Sequence, residues 1–118
     1  MAKLVIKHEG ITLKEFPIKQ ETTMIGRNAD NEIQLDDAAV SGRHARISVA
    51  PNDYLEGHND VFIEDLGSTN GTQLNGMALT KRQLLKNGDL LQIGKHKLSY
   101  VSELDHRHDQ TAIYIPEN

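Results

Sequence analysis

The sequence predicts an all-β fold, a sandwich or barrel of roughly ten short strands, on three observations: short β-branched and apolar runs recur along the chain, turn-forming residues separate them at close spacing, and no segment sustains a helical period. Helix is limited to a turn or two. Leu4-Val5-Ile6 and Ile11-Thr12-Leu13 flank Glu9-Gly10 and read as a hairpin. The alternation Ile11, Leu13 then slips by one residue to Phe16, Ile18. A slip of one residue turns side chains to the other face, so a bulge is expected near Lys14-Glu15. Pro17 has no N–H for a ladder, which assigns this run to a sheet edge.

Thr22-Thr23-Met24-Ile25 is a third run, stopped at Gly26-Arg27, and Asn28-Ala29-Asp30-Asn31-Glu32 is loop by composition. Ile33-Gln34-Leu35 is a short strand. Asp36-Asp37 opens a stretch through Ala38-Ala39-Val40-Ser41-Gly42-Arg43-His44. Ala45, Ile47 and Val49 alternate with Arg46 and Ser48, the pattern of a half-buried strand with the first set inward. After a polar loop from Pro51 to Asp60, Val61-Phe62-Ile63 begins a strand that reaches Leu66. There follow the polar loop Gly67-Ser68-Thr69-Asn70-Gly71 and a second short run that closes on Asn75-Gly76, the strongest local signal for a type I′ turn. Met77-Ala78-Leu79, Leu84-Leu85, Leu90-Leu91-Gln92-Ile93 and Lys97-Leu98-Ser99-Tyr100-Val101 complete the strands.

A chain of 118 residues makes one domain. Strand patterning stops at Ser102, which divides the chain into a folded domain, 1–101, and a flexible C-terminal tail or linker, 102–118. Cysteine is absent, so no disulfide, thiolate nucleophile or soft-metal ligand is expected. The first apolar run is three residues between lysines, far short of a signal-peptide core or membrane span, which predicts a cytoplasmic protein. The formal charge of −4, from 13 basic and 17 acidic residues, together with few aromatic rings, disfavours nucleic acid and membrane surfaces as partners. It leaves room for an anionic ligand. Exposed charges are screened over about 8 Å at physiological salt, so a local arginine with oriented N–H groups outweighs a distant acidic surface.

Three loop-borne clusters fit such a ligand: Gly26-Arg27, Ser41-x-x-His44 with Arg43, and Ser68-Thr69-Asn70-Gly71. Each adjoins a strand, so in a sandwich all three gather at one end. The pattern glycine-arginine, serine-x-x-histidine, and Asp65-Leu66-x-Ser68-x-Asn70-Gly71-Thr72 closely resembles the forkhead-associated (FHA) domain over Lys3 to Val101. The resemblance implies an eleven-strand β-sandwich of two sheets that binds phosphothreonine peptides through loops at one end. It implies that Arg27 and Ser41 contact the phosphate, that Thr69 helps to hold it, and that Asn70 hydrogen-bonds the peptide backbone. Gly26, His44 and Gly71 are implied structural residues of the motif. Gly42 falls in the implied peptide-binding set, at a position where some members carry a side chain that touches the peptide, so that side-chain contact is missing here. Arg43 is a candidate auxiliary phosphate contact.

Elementary chemistry agrees with these roles. A phosphate ester near neutral pH carries close to two negative charges and three acceptor oxygens, which a guanidinium fork and a hydroxyl donor match. Charge-assisted hydrogen bonds contribute roughly 1.5–3 kcal/mol against about 1 for neutral ones, so Arg27 is the anchor ahead of Ser41. The Asn70 carboxamide pairs with a peptide N–H and C=O together, which Asp or Leu does not. Selectivity for threonine over serine needs a small pocket for one methyl, worth about 0.8 kcal/mol by area. Ala39 occupies a position that is basic in some relatives and reads an acidic residue three after the phosphothreonine; here a tolerant or apolar preference is expected.

Other readings are weaker. Ser41 and His44 lack a third group to orient the imidazole and lack the Gly-x-Ser-x-Gly elbow, so an enzyme is not expected. Asn70-Gly71-Thr72 matches a glycosylation acceptor without a secretory signal, and Asp105-His106-Arg107-His108-Asp109 reads as a solvated run, so neither metal nor cofactor is expected. The function read from the sequence is a phosphothreonine-dependent adaptor acting downstream of a serine/threonine kinase. Its rival is a phosphate-independent structural or oligomerisation module, which has no need for Arg27, Ser41 and Asn70 together. The default for the tail is inert chain, yet Thr111 sits in an acidic and His-rich segment and is a candidate phosphosite for self-association. If it acts so, phosphorylation changes the assembly seen by native mass spectrometry and lowers affinity for competing peptide; unchanged assembly and affinity contradict it.

Overall fold

In the computed structural model, which describes residues 2–8 and 11–102, the short apolar runs become eleven strands in two sheets, with no helix among the described residues. The strands are β1 (Ala2–His8), β2 (Ile11–Ile18), β3 (Thr22–Gly26), β4 (Ile33–Gln34), β5 (Ala45–Pro51) and β6 (Asn59–Asp65), followed by β7 (Thr72–Leu74), β8 (Met77–Ala78), β9 (Gln83–Leu84), β10 (Leu90–Ile93) and β11 (His96–Ser102). One sheet has the order β2-β1-β11-β10-β7-β8 and is antiparallel throughout. The other, β4-β3-β5-β6-β9, is mixed, because β4 runs parallel to β3. The expected sandwich is therefore present with two sheets of six and five strands.

The local signals act as their chemistry requires. Pro17 lies on β2, an edge strand, where its missing N–H breaks no ladder. The bulge falls at Leu13, one residue before the expected pair: Ile6 is opposite Lys14 and Lys7 opposite Thr12, which leaves Leu13 unpaired and 63% exposed. Asn75 (φ 52°) and Gly76 (φ 84°) are both left-handed between the paired Leu74 and Met77, as a type I′ turn demands.

Leu4, Ile25, Ile47, Ile63, Leu91, Ile93 and Leu98 from both sheets are fully buried between them. Ala45 and Ile47 face inward as their alternation predicts, while Val49 is only half-buried. Val49 lines a cavity of about 430 Å³ at the end of β5 remote from His44, where the sheets part. Strand β11 runs one residue past the expected domain end, and Ser102 is buried with its N–H on the Asn87 side-chain oxygen at 2.9 Å. Thr111 and the Asp105–Asp109 run lie outside the described residues. Among the described residues no helix is long and apolar enough to cross a membrane.

Register decides what the fold presents. Ile25 on β3 is paired with Ala45 on β5, and Ala45 with Asp65 on β6. These residues stand level near one end of the sandwich, so the segments 27–32, 36–44 and 66–71 leave it together. Replacing Ile47 by Ala removes a fully buried branched side chain at the centre of this sheet and is expected to cost about 2–5 kcal/mol. Leu13→Ala, on the exposed bulge, is expected to change stability by less than about 0.5 kcal/mol. Urea denaturation of both variants checks the contrast; equal losses contradict the assigned facing of β5.

Candidate functional site

Main chain fixes the arginine loop to the serine loop. The Arg27 N–H donates to the Ser41 carbonyl at 3.0 Å and the Asn28 N–H to the Gly42 carbonyl at 3.2 Å. Gly26 has to be glycine because a Cβ there would lie 2.2 Å from the Gly42 carbonyl oxygen and 2.8 Å from Asn31 Nδ2. Asn31, buried at 6% exposure, donates through that same Nδ2 to the carbonyls of Asn28 and Gly42, each at 2.8 Å. A short polar side chain thus closes two turns that have no regular ladder to satisfy them.

His44 joins the serine loop to the asparagine loop. Its Nδ1 accepts the Ser41 N–H at 3.1 Å, and its Nε2 lies 2.9 Å from the Gly71 carbonyl. Only a neutral ring protonated on Nε2 satisfies both, and the side chain is fully buried. Both ring nitrogens are thereby engaged by main chain, and neither bonds Ser41 Oγ. That hydroxyl instead accepts the Thr69 N–H at 3.0 Å, which leaves its own proton to donate to a ligand.

The loop after β6 is wound around Asp65. Its carboxylate accepts the N–H groups of Gly67 (3.0 Å) and Ser68 (2.9 Å) and the hydroxyls of Ser68 (2.6 Å) and Thr72 (2.7 Å). The Ser68 hydroxyl accepts in turn from the Gly71 N–H at 2.9 Å, and Gly71 itself is left-handed at φ 84°. Asn70 then projects toward the serine loop, with Nδ2 donating to the Ala39 carbonyl at 2.9 Å. Asp37 holds that loop from the other side: its Oδ1 accepts the Ala39 N–H at 3.0 Å, and its Oδ2 lies 3.6 Å from His96 Nε2 at the start of β11.

These contacts leave a depression of about 260 Å³ lined by Arg27, Ala38, Ala39, Val40, Ser41, Gly42, Thr69 and Asn70. It falls just short of the ~300 Å³ at which small-molecule pockets begin, a size suited to an ester head group with the rest of the ligand outside. Among the described residues the guanidinium of Arg27 has no carboxylate partner, whereas Arg43 pairs with Asp30 at 2.7 Å, Arg46 with Glu64 at 2.7 Å, and Arg82 stacks on Phe62. An exposed, unpaired guanidinium, a hydroxyl with a free proton and a carboxamide with an unused oxygen therefore meet at one concavity.

A family model described as FHA domain matches residues 23–94. The chain belongs to the FHA domain family. It is 37% identical over 101 residues to an oxoglutarate dehydrogenase inhibitor of Corynebacterium jeikeium, covering 86% of this chain and 65% of that protein. It is 39% identical over 101 residues to the glycogen accumulation regulator GarA of Mycolicibacterium smegmatis, covering 86% of this chain and 59% of that one. The chain thus spans about six tenths of the length of these curated relatives. An FHA domain solved in a structural and functional analysis of phosphothreonine-dependent FHA domain interactions superposes with a TM-score of 0.71 at 25% identity, covering 86% of this chain and 96% of that one. Mycobacterium tuberculosis EmbR, solved in complex with a low-affinity phosphopeptide, gives a TM-score of 0.71 at 30% identity, covering 85% of this chain and 24% of that one.

Within this FHA domain the sequence-derived residues divide. Arg27, Ser41, Gly42, Thr69 and Asn70 line the depression, while Gly26, His44 and Gly71 hold its walls. Arg43 is not in the lining; its guanidinium is committed to Asp30 on the arginine loop. Asn31 and Asp37 shape the site without having been singled out, and Asp65, quoted only as the first residue of the third motif, is the hub of its loop. Their signal was present as short polar side chains beside turns: Asp37 and Asp65 cap N–H groups two or three positions on, and Asn31 donates to turn carbonyls.

Asp65 carries a testable consequence. Burial disfavours its charge, yet the Ser68 and Thr72 hydroxyls and the Ser68 N–H outweigh burial and hold the carboxyl below its ordinary value of 3.8. A lowered folded-state pKa means that the stabilisation is complete above the ordinary value and disappears as pH falls through the lowered one. Asp65→Ala is expected to cost on the order of 2 kcal/mol at pH 7. The gap to the unaltered protein should stay level between about pH 5 and 8 and close below about pH 4, as read by denaturant titration at each pH. A gap that persists unchanged to pH 2 contradicts the carboxylate's role.

Proposed function

We propose that this FHA domain is a non-enzymatic adaptor that binds phosphothreonine segments of partner proteins and so couples them to a serine/threonine kinase. The observation that carries the reading is the unpaired Arg27 guanidinium in one concavity with the Ser41 hydroxyl and the Asn70 carboxamide. In this reading Arg27 and Ser41 hold the phosphate dianion, the Thr69 hydroxyl adds a donor, and Asn70 Oδ1 accepts a main-chain N–H beside the phosphothreonine. The phosphothreonine-dependent interactions and the phosphopeptide complex named for two structural neighbours support the ligand class. The names of the relatives, an enzyme inhibitor and a regulator, support a regulatory rather than catalytic role. A cytoplasmic setting, without nucleic acid, membrane or cofactor, belongs to the same reading.

Specificity beyond the phosphate follows from the rim. Ala38, Ala39 and Val40 are apolar, and the exposed Asp36 stands just before them in the same loop. A basic group to attract an acidic ligand residue is missing from this segment, and Asp36 repels one. We expect a tolerant or apolar preference three residues after the phosphothreonine.

Isothermal titration calorimetry with a degenerate phosphothreonine peptide library, then with single peptides bearing Asp, Ile or Tyr at that third position, tests the proposal. Arg27→Ala should weaken binding roughly 100-fold, since about 3 kcal/mol of charge-assisted bonding is lost. Asn70→Ala should weaken it roughly tenfold. Equal binding of dephosphorylated peptide, or of the Arg27→Ala variant, favours a phosphate-independent module instead. Clear preference for Asp at the third position contradicts the assigned rim specificity.

A further inference from the structure

The arginine loop presents a second carboxamide beside the serine loop. Asn28 follows Arg27 in the chain, and its main chain is fully engaged: its N–H donates to the Gly42 carbonyl at 3.2 Å, and its carbonyl accepts the Asn31 N–H at 3.2 Å and Asn31 Nδ2 at 2.8 Å. These bonds fix the backbone at position 28 whatever the side chain does. The side chain itself is exposed and has no hydrogen-bond partner among the described residues. Its amide nonetheless lies over Gly42, because a Cβ built on Gly42 would meet Asn28 Nδ2 at 2.9 Å, Oδ1 at 3.1 Å and Cγ at 3.2 Å. The amide plane therefore fills the direction that a residue-42 side chain would take. Gly42 lines the depression beside Ser41, and its φ is not left-handed. Conformation does not demand glycine there, and the nearest atoms that a Cβ would meet are those of the exposed Asn28 amide.

Resting on the phosphopeptide reading above, we propose that Asn28 is a ligand-contacting residue, its carboxamide bonding the main chain of the phosphothreonine segment on the Gly42 side. Asn70, anchored to Ala39, bonds the ligand main chain on the other side of Ser41 in the serine loop. A carboxamide suits this task because it offers two donors and an acceptor oxygen without charge, so it matches a peptide group and does not compete with Arg27 for the phosphate. An ordinary solvated asparagine accounts for the exposure. It does not account for the amide's placement over a glycine that lines the anion site.

The test compares Asn28→Ala, Asn28→Asp and the exchange variant Asn28→Gly/Gly42→Asn in calorimetry with one phosphothreonine peptide, alongside thermal melts. Asn28→Ala should bind roughly 3- to 10-fold more weakly, the worth of one or two neutral hydrogen bonds, with an unchanged Tm. Asn28→Asp should bind more weakly still, since it loses the donors and sets a negative charge beside the phosphate. The exchange variant, which offers the carboxamide from position 42, should recover at least half of the lost binding free energy. Unchanged affinity in Asn28→Ala, or a loss of Tm that parallels the loss of affinity, overturns the proposal. If the unaltered domain binds no phosphothreonine peptide, the functional reading itself fails. If it binds and is sensitive to Arg27→Ala but not to Asn28→Ala, only the role of Asn28 fails.

Discussion

The His44 imidazole ties the serine loop to the asparagine loop beyond the last main-chain bond between them, Leu66 N–H to the His44 carbonyl at 3.0 Å, and the geometry of the candidate site depends on that tie. With Nδ1 on the Ser41 N–H and Nε2 on the Gly71 carbonyl, the ring sets the distance between the serine loop and the asparagine loop. It does so inside the protein, at zero exposure, where an unsatisfied polar group costs about 1–3 kcal/mol. Loss of the ring would leave the Ser41 N–H and the Gly71 carbonyl without this partner. Ser41 Oγ and the Thr69 N–H then bridge the same two loops at the surface, above the buried tie.

Around this tie, polar side chains close the turns and leave the ligand-facing groups unspent. Asn31 occupies the carbonyls of Asn28 and Gly42, Asp65 occupies the N–H groups and hydroxyls of the asparagine loop, and Asp37 occupies the Ala39 N–H. The guanidinium of Arg27, the proton of the Ser41 hydroxyl and the oxygen of Asn70 take no part in these closures. On the proposed reading, such a site would take up an anion without first ordering its own loops, so less of the interaction energy would be lost to conformational entropy. It also explains how a chain of net charge −4 presents a local positive pole: three other arginines are engaged by Asp30, Glu64 and Phe62, and Arg27 is not.

Much of this was legible in the sequence because it rests on local rules. Period-two alternation gave the strands, Asn75-Gly76 the turn, Pro17 the edge, and three spaced motifs the loops that converge. What escaped depends on long-range geometry. Arg43 belongs to the same loop as Ser41, but the distance to Asp30 that diverts it is set by how two loops pack. Val49 alternates correctly, yet it sits where the sheets part, so its face is not fully covered. The reason for glycine at position 26 is a carbonyl from a loop sixteen residues away, which no local pattern encodes. The bulge at Leu13 rather than Lys14 is a one-residue choice made by pairing with β1.

The central proposal is that one end of the sandwich recognises a phosphate through three loops held together from below. Titrating the ¹⁵N-labelled protein with a phosphothreonine peptide, and with the same peptide dephosphorylated, while following backbone amide resonances, tests it most directly. The account predicts that the largest shifts cluster at Arg27, Asn28, Ser41, Gly42, Thr69 and Asn70 and vanish with the dephosphorylated peptide. Shifts centred on the cavity around Val49 and Tyr100, or a pattern indifferent to the phosphate, would contradict it.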